Sequence, residues 1–213
     1  MPPEFTVIPI RECGEPLLDL SHSGCTLSPE YHRQGLTDES RMFLRKSVVD
    51  KLHAIERAWN GARFKIWDGW RPRNLQRIIY EALWARRTRE HPEWGADALA
   101  VEVGKFVNPG SDDVVPPHST GGTIDLTVVG ADGAELAMGT QFDHFGEEAA
   151  SLYFEHHAID DTVRDNRRMF RDAMITAGFW SHPNEWWHFE YGTQSWALHS
   201  GEPHAIYGEI ISP

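Results

Sequence analysis

The segment "HSTGGTIDLTVV", residues 118–129, limits the fold more than any other stretch. Its last seven residues are β-prone and alternate, with Ile124, Leu126 and Val128 on one face and Thr123, Asp125 and Thr127 on the other. This predicts a strand whose polar face carries a carboxylate, pointing away from the apolar layer. An ionised carboxylate on a half-buried strand loses its water and needs a cation, a donor or a metal beside it. Gly121 and Gly122 allow the backbone before the strand to curl, so that His118 and Asp125 can reach a common point. Spacing alone leaves two readings: a metal site, or a loop histidine near a carboxylate bonded to neighbouring amides.

The remaining elements set the fold class. "TDESRMFLRKSVVDKLHAIERAWNG" reads as a helix capped by Thr37 and ended by Gly61, with Phe43, Val48, Leu52, Ile55 and Trp59 as its buried stripe. "RFKIWD" reads as a strand, and "GWRPR" turns it into a second helix running from near Pro72 to about Glu90. A short helix over 96–103 leads into the loop "FVNPGSDDVVPP". A helix over 161–177 stops at Gly178, and Arg164, Arg167, Arg168 and Arg171 are expected on its solvated face. "NEWWHFEYG" predicts a closing aromatic strand. Without regular βαβ alternation, the class is α+β, a mainly antiparallel sheet flanked by helices.

Composition narrows the partners. A chain of 213 residues supports one well-buried core, and a single domain over 1–213 is expected. A net charge of −12 disfavours nucleic acid and anionic membrane surfaces. No apolar run approaches the roughly 20 residues needed to span a bilayer, and "MPPEFTVIPIRECGEPLLDL" lacks an export pattern, so cytoplasm is the expected compartment. Cys13 and Cys25 are expected as free thiols. Most of the 12 histidines, including His91, His144, His182, His199 and His204, are expected at the surface, and the pair His156 and His157 is expected to be structural or at the surface.

A catalytic zinc takes three nitrogen or oxygen ligands and keeps one position open. His118, Asp125 and His188 could supply them. Glu185 precedes His188 by three residues, a spacing that shares a face on a helix but not on a regular strand. Glu185 must therefore sit on an irregular approach to the strand if it is to share a site with His188. The alternative is an exposed glutamate beside a histidine at the edge of the core.

Five blocks, "WDGWRPR", "HSTGGTIDLT", "MGTQFD", "NRRMFR" and "NEWWHF", occur in the order found in D-alanyl-D-alanine dipeptidases of the VanX type. The chain resembles that family of zinc D,D-peptidases over roughly residues 63–191. The resemblance implies one zinc per chain held by His118, Asp125 and His188, with Glu185 as the base. It also implies that Arg71 steadies the reacting carbonyl and that Asp143 holds the free amino group of a small D,D-dipeptide. The implied fold is the one shared with the Hedgehog signalling domain. Two features depart from the family: Pro116 stands where a serine hydroxyl is usual, and a Tyr-x-Thr-x-x-Asn-Phe block is replaced by "LSPEYHRQGLTDES", in which Tyr31 is the candidate substitute. The rival readings are a murein D,D-carboxypeptidase or endopeptidase and a non-catalytic zinc-stabilised binding module. A structural zinc needs no base, so Glu185 and Arg71 argue for catalysis.

Overall fold

A computed structural model of the protein describes residues 8–59, 61–107, 115–157 and 160–213. The first half contains strands β1 (Leu17–Asp19) and β2 (Thr26–Leu27), helix α1 (Glu30–Arg33), strand β3 (Phe43–Arg45), helix α2 (Lys46–Ala58), strand β4 (Arg63–Asp68), and helices α3 (Arg73–Glu90) and α4 (Ala96–Val103). The second half contains strand β5 (Thr123–Val129), helices α5 (Tyr153–His156) and α6 (Asp161–Thr176), strands β6 (Trp180–Ser181) and β7 (His188–Glu190), and helix α7 (Gln194–Ser200). Most of the expected loop before β5 lies outside the described residues.

The main sheet has the order β2-β4-β5-β7-β6, and every pairing except β2 with β4 is antiparallel. A separate antiparallel ribbon joins β1 to β3. The α+β class expected from the sequence is thus the observed one. β5 lies at the centre of the sheet. Ile124, Leu126 and Val128 meet Val48 and Leu52 of α2 and Phe170 and Met174 of α6 in one core cluster. Burying apolar side chains of this size contributes roughly 1.5–3 kcal/mol each. A second cluster joins Leu75, Ile79 and Leu83 of α3 to Val103, Tyr31 and Phe145.

Three expectations are corrected. The helix predicted from Thr37 begins at Lys46, because Phe43, Leu44 and Arg45 form strand β3. All three are buried, and consecutive residues of a surface helix cannot all face one core. The polar face of β5 is also covered, with Asp125 only 3% exposed. Arg167 is buried in the stripe of α6 with Val163, Phe170 and Met174 rather than solvated. The start of α6 is conventional: Asp160 caps it by accepting from Thr162 N and Val163 N. No described helix is long and apolar enough to cross a membrane.

Candidate active site

Three strands align the first part of the site. The β4–β5 ladder shifts register between Ile66 and Asp68, which sets Asp68 opposite Asp125, and β7 sets His188 opposite Asp125 on the other side. Directly opposed residues project to one face of a sheet, so Asp68, Asp125 and His188 form a row. His118 joins it from a 3₁₀ turn (Pro117–Thr120) that leads into β5 through Gly121, at φ 72°, and Gly122. A Cβ on Gly122 would lie 2.3 Å from Tyr191 O, so only glycine permits this approach. Arg45 holds the turn from behind by donating Nε–H to Thr120 O at 2.8 Å.

His118, Asp125 and His188 are buried and offer one ligand atom each within 4.8 Å of one another. His118 Nδ1 lies 2.7 Å from Gly69 O, which leaves Nε2 toward Asp125 Oδ2 at 3.4 Å. His188 Nε2 lies 3.2 Å from Glu190 Oε1, and its Nδ1 is 3.0 Å from Asp125 Oδ1. Each imidazole thus has one nitrogen held by an oxygen and the other directed at Asp125, the orientation expected of histidine metal ligands. Burial works against charge on Asp125, but the His118 and His188 imidazoles hold its carboxyl well below the usual range. His118 Nε2 and Asp125 Oδ1 are nonetheless buried with no hydrogen-bond partner. A bound cation answers both orphaned atoms, and a donor set of two imidazoles and one carboxylate suits zinc.

Glu185 lies in the turn before β7, on the irregular approach that its spacing required. Its Oε2 is 3.5 Å from His188 Nδ1. Burial pushes its carboxyl up to about 8. Ser151 fixes the turn by donating its hydroxyl to His182 O at 2.6 Å, with Glu185 O 3.3 Å from the same oxygen. His182, expected at the surface, instead places Nδ1 3.8 Å from Glu185 Oε2. Burial, aided by His188, pushes its imidazole down to about 3, so it is neutral.

Arg71 follows β4 and is itself buried. It donates Nη1–H to Asp68 Oδ2 at 2.7 Å and Nε–H to Gln76 Oε1 at 2.8 Å. Nη1 stands 4.0 Å from Asp125 Oδ2, so the arginine borders the ligand row. Its guanidinium carbon lies 5.3 Å from the ring centroid of Tyr31, whose hydroxyl donates to Asp143 Oδ1 at 3.4 Å. Tyr31 therefore links Arg71 to Asp143. Burial, with the nearby Asp125 charge, pushes the Asp143 carboxyl up to about 8.

A cleft of about 420 Å³ opens on this group, lined by Arg71, His118, Glu185 and His188 and continuing to Trp180 and His199. His199 stacks on Trp180 with ring centroids 4.6 Å apart and remains exposed, as expected. The peptidase M15 family, described as "D-ala-D-ala dipeptidase", matches residues 31–205. The chain belongs to this family. A D-alanyl-D-alanine dipeptidase of Synechocystis is 26% identical over 240 residues, covering 97% of this chain and 96% of its own. One from Enterococcus faecalis is 31% identical over 140 residues, covering 64% and 65%. Among solved structures, VanYB in complex with D-alanine-D-alanine covers 76% of this chain and 80% of its own, at 15% identity and a TM-score of 0.44.

The six residues singled out in this peptidase M15 member divide into three groups. His118, Asp125 and His188 meet, Glu185 and Arg71 border them, and Asp143 is reached through Tyr31. Asp68 was missed, although it stands in "WDGWRPR" and lies 3.2 Å from His118 Nδ1 as well as holding Arg71. Its signal was like that of Asp125, a carboxylate on an otherwise apolar strand, here at the end of β4. His156 and His157 are exposed, as expected.

Proposed function

We propose that the cleft hydrolyses a small D,D-dipeptide such as D-Ala-D-Ala, with one zinc held by His118, Asp125 and His188. The convergence of these three ligand-type side chains beside Glu185 and Arg71 carries this reading. Zinc, when bound, supplies a Lewis acid and a nucleophile available at neutral pH. Glu185 takes the proton of the attacking water and passes it to the leaving amine, a transfer that typically contributes about 10²–10⁴-fold. Its buried position raises its proton affinity toward that task. Arg71 keeps its charge at working pH, and Nη2 makes no hydrogen bond among the described residues, so it is the donor left for the developing oxyanion. Asp143 pairs with the free α-ammonium of the substrate. Pro116 brings no hydroxyl, and its carbonyl is taken by Ser119 N at 3.0 Å and Ser119 Oγ at 2.8 Å. A cytoplasmic setting belongs to the same reading, and the unpaired Cys13 and Cys25 agree with a reducing compartment.

Elemental analysis should find about one zinc per chain, as a single three-ligand site implies. His118→Ala and His188→Ala should lose the metal, whereas Glu185→Ala should keep it and lose turnover of D-Ala-D-Ala by about 10²-fold or more. Full zinc content in both histidine variants would reject the site.

A further inference from the structure

The block "NRRMFR" contributed to the resemblance, yet none of its residues enters the cleft. Its Arg167 is 4% exposed and has no carboxylate within 4.0 Å among the described residues. All three guanidinium nitrogens are engaged by one loop. Nε–H donates to Met138 O at 2.6 Å, Nη1–H to Ala150 O at 3.0 Å, and Nη2–H to Glu148 O at 2.9 Å and Thr140 Oγ1 at 3.4 Å. The guanidinium also lies 4.7 Å from the Phe154 ring centroid and 5.4 Å from that of Trp186. A buried cation without a counter-ion is a poor way to fill a core, since an apolar side chain of similar volume packs there at lower cost. What the arginine adds is geometry.

Two of its acceptors precede Asp143 in the chain and two follow it, so one side chain clamps both ends of the loop that carries this carboxylate. Asp143 itself sits at φ 57°, in the left-handed region that few residues with a Cβ adopt and that aspartate enters more readily than most. The clamp extends to the base. Trp186 donates Nε1–H to Thr140 Oγ1 at 2.8 Å and its backbone N–H to Ala149 O at 3.0 Å, and it adjoins Glu185 in sequence. We propose that Arg167 is a positioning residue for recognition of the substrate's amino end, holding Asp143 in place from behind the loop and tying that loop to the turn of Glu185. This rests on the reading above, in which Asp143 takes the α-ammonium.

Arg167→Met keeps the length and removes every donor, and Thr140→Val is a milder cut of the same network. Both should retain about one zinc per chain and raise KM for D-Ala-D-Ala by about tenfold with a smaller fall in kcat, because a displaced carboxylate weakens binding before it weakens chemistry. Arg167→Lys should recover part of the loss. In an Asp143→Asn background, Arg167→Met should change KM by less than about twofold, since a residue acting through Asp143 has nothing left to position. Full multiplication of the two effects, or an unchanged KM in both Arg167→Met and Thr140→Val, overturns the proposal. Amide exchange over residues 139–149 reads the clamp directly and should accelerate in Arg167→Met. Should exchange accelerate while Asp143→Asn alone leaves KM unchanged, the clamp stands and the amine assignment of Asp143 fails.

Discussion

In the proposed reaction Arg71 meets the developing oxyanion, a role suited by an orientation that is fixed before substrate arrives. Asp68 and Gln76 hold two of its nitrogens, and its guanidinium carbon lies over the Tyr31 ring at 5.3 Å from the centroid. A guanidinium held in this way stabilises charge that develops during reaction without reorganising at that moment. Arg71→Ala should therefore lower kcat by about 10²–10³ with a smaller change in KM, measured by steady-state kinetics on D-Ala-D-Ala. A near-normal kcat would remove the oxyanion role. The sequence reveals this residue only through the "WDGWRPR" block, because an arginine at a helix start, taken alone, reads better as a surface ion pair. It could not reveal that Asp68 closes the arrangement, since the register shift that brings Asp68 opposite Asp125 is a property of the ladder.

Among the elements, the 3₁₀ turn and β5 determine whether His118 and Asp125 meet at all. Gly122 sits at their junction under Tyr191 O and the Tyr207 ring, where a Cβ would approach to 2.3 Å and 2.7 Å. Gly122→Ala must push the turn away from β7 or lift the segment around Tyr207. Overpacking of this kind typically costs about 1–3 kcal/mol, and the variant should show both a lower melting temperature and weaker zinc binding by metal titration. A melting temperature and zinc affinity equal to wild type would show that the turn accommodates the methyl group. Period-two alternation made β5 legible in the sequence, and caps and breakers made α3 and α6 legible. β3 was not, because "MFLRKSVV" carries no turn residue between strand and helix, and a β-prone triplet next to a helical pattern is absorbed into it. Arg167 was missed for a related reason: a helical wheel places it in the apolar stripe, but its charge argued for solvent until the carbonyls of the 138–150 loop were seen around it.

At the scale of the whole molecule, the site concentrates acids in the interior, and this sets how the protein responds to metal and to pH. Asp68, Asp125, Glu185 and Glu190 are buried together, with Arg71 as the buried guanidinium beside them among the described residues. A zinc bound at about 1,000 times its Kd should add about 4 kcal/mol to folding, or about 10 °C in melting temperature for a chain of this size. In the metal-free protein, Glu185 and Asp143 are raised to about 8 and His188 to about 10. Groups raised on folding bind more protons in the native state, so the stability they contribute is complete below their unfolded values near 4–6.5 and is lost as pH rises through 8 and toward 10. Asp125 and Glu190 are lowered instead, and their contribution disappears only below about pH 4–4.5. Across pH 5.5–8.5 the metal-free protein should therefore become less stable as pH rises. Zinc competes with protons for the same ligands, so binding strengthens over that range. The gap between the melting temperatures of zinc-loaded and chelator-treated protein should widen steadily from pH 5.5 to 8.5 in differential scanning calorimetry. A gap that is constant or narrows would mean that the metal does not sit among these titrating groups, and the ligand set of His118, Asp125 and His188 would have to be abandoned.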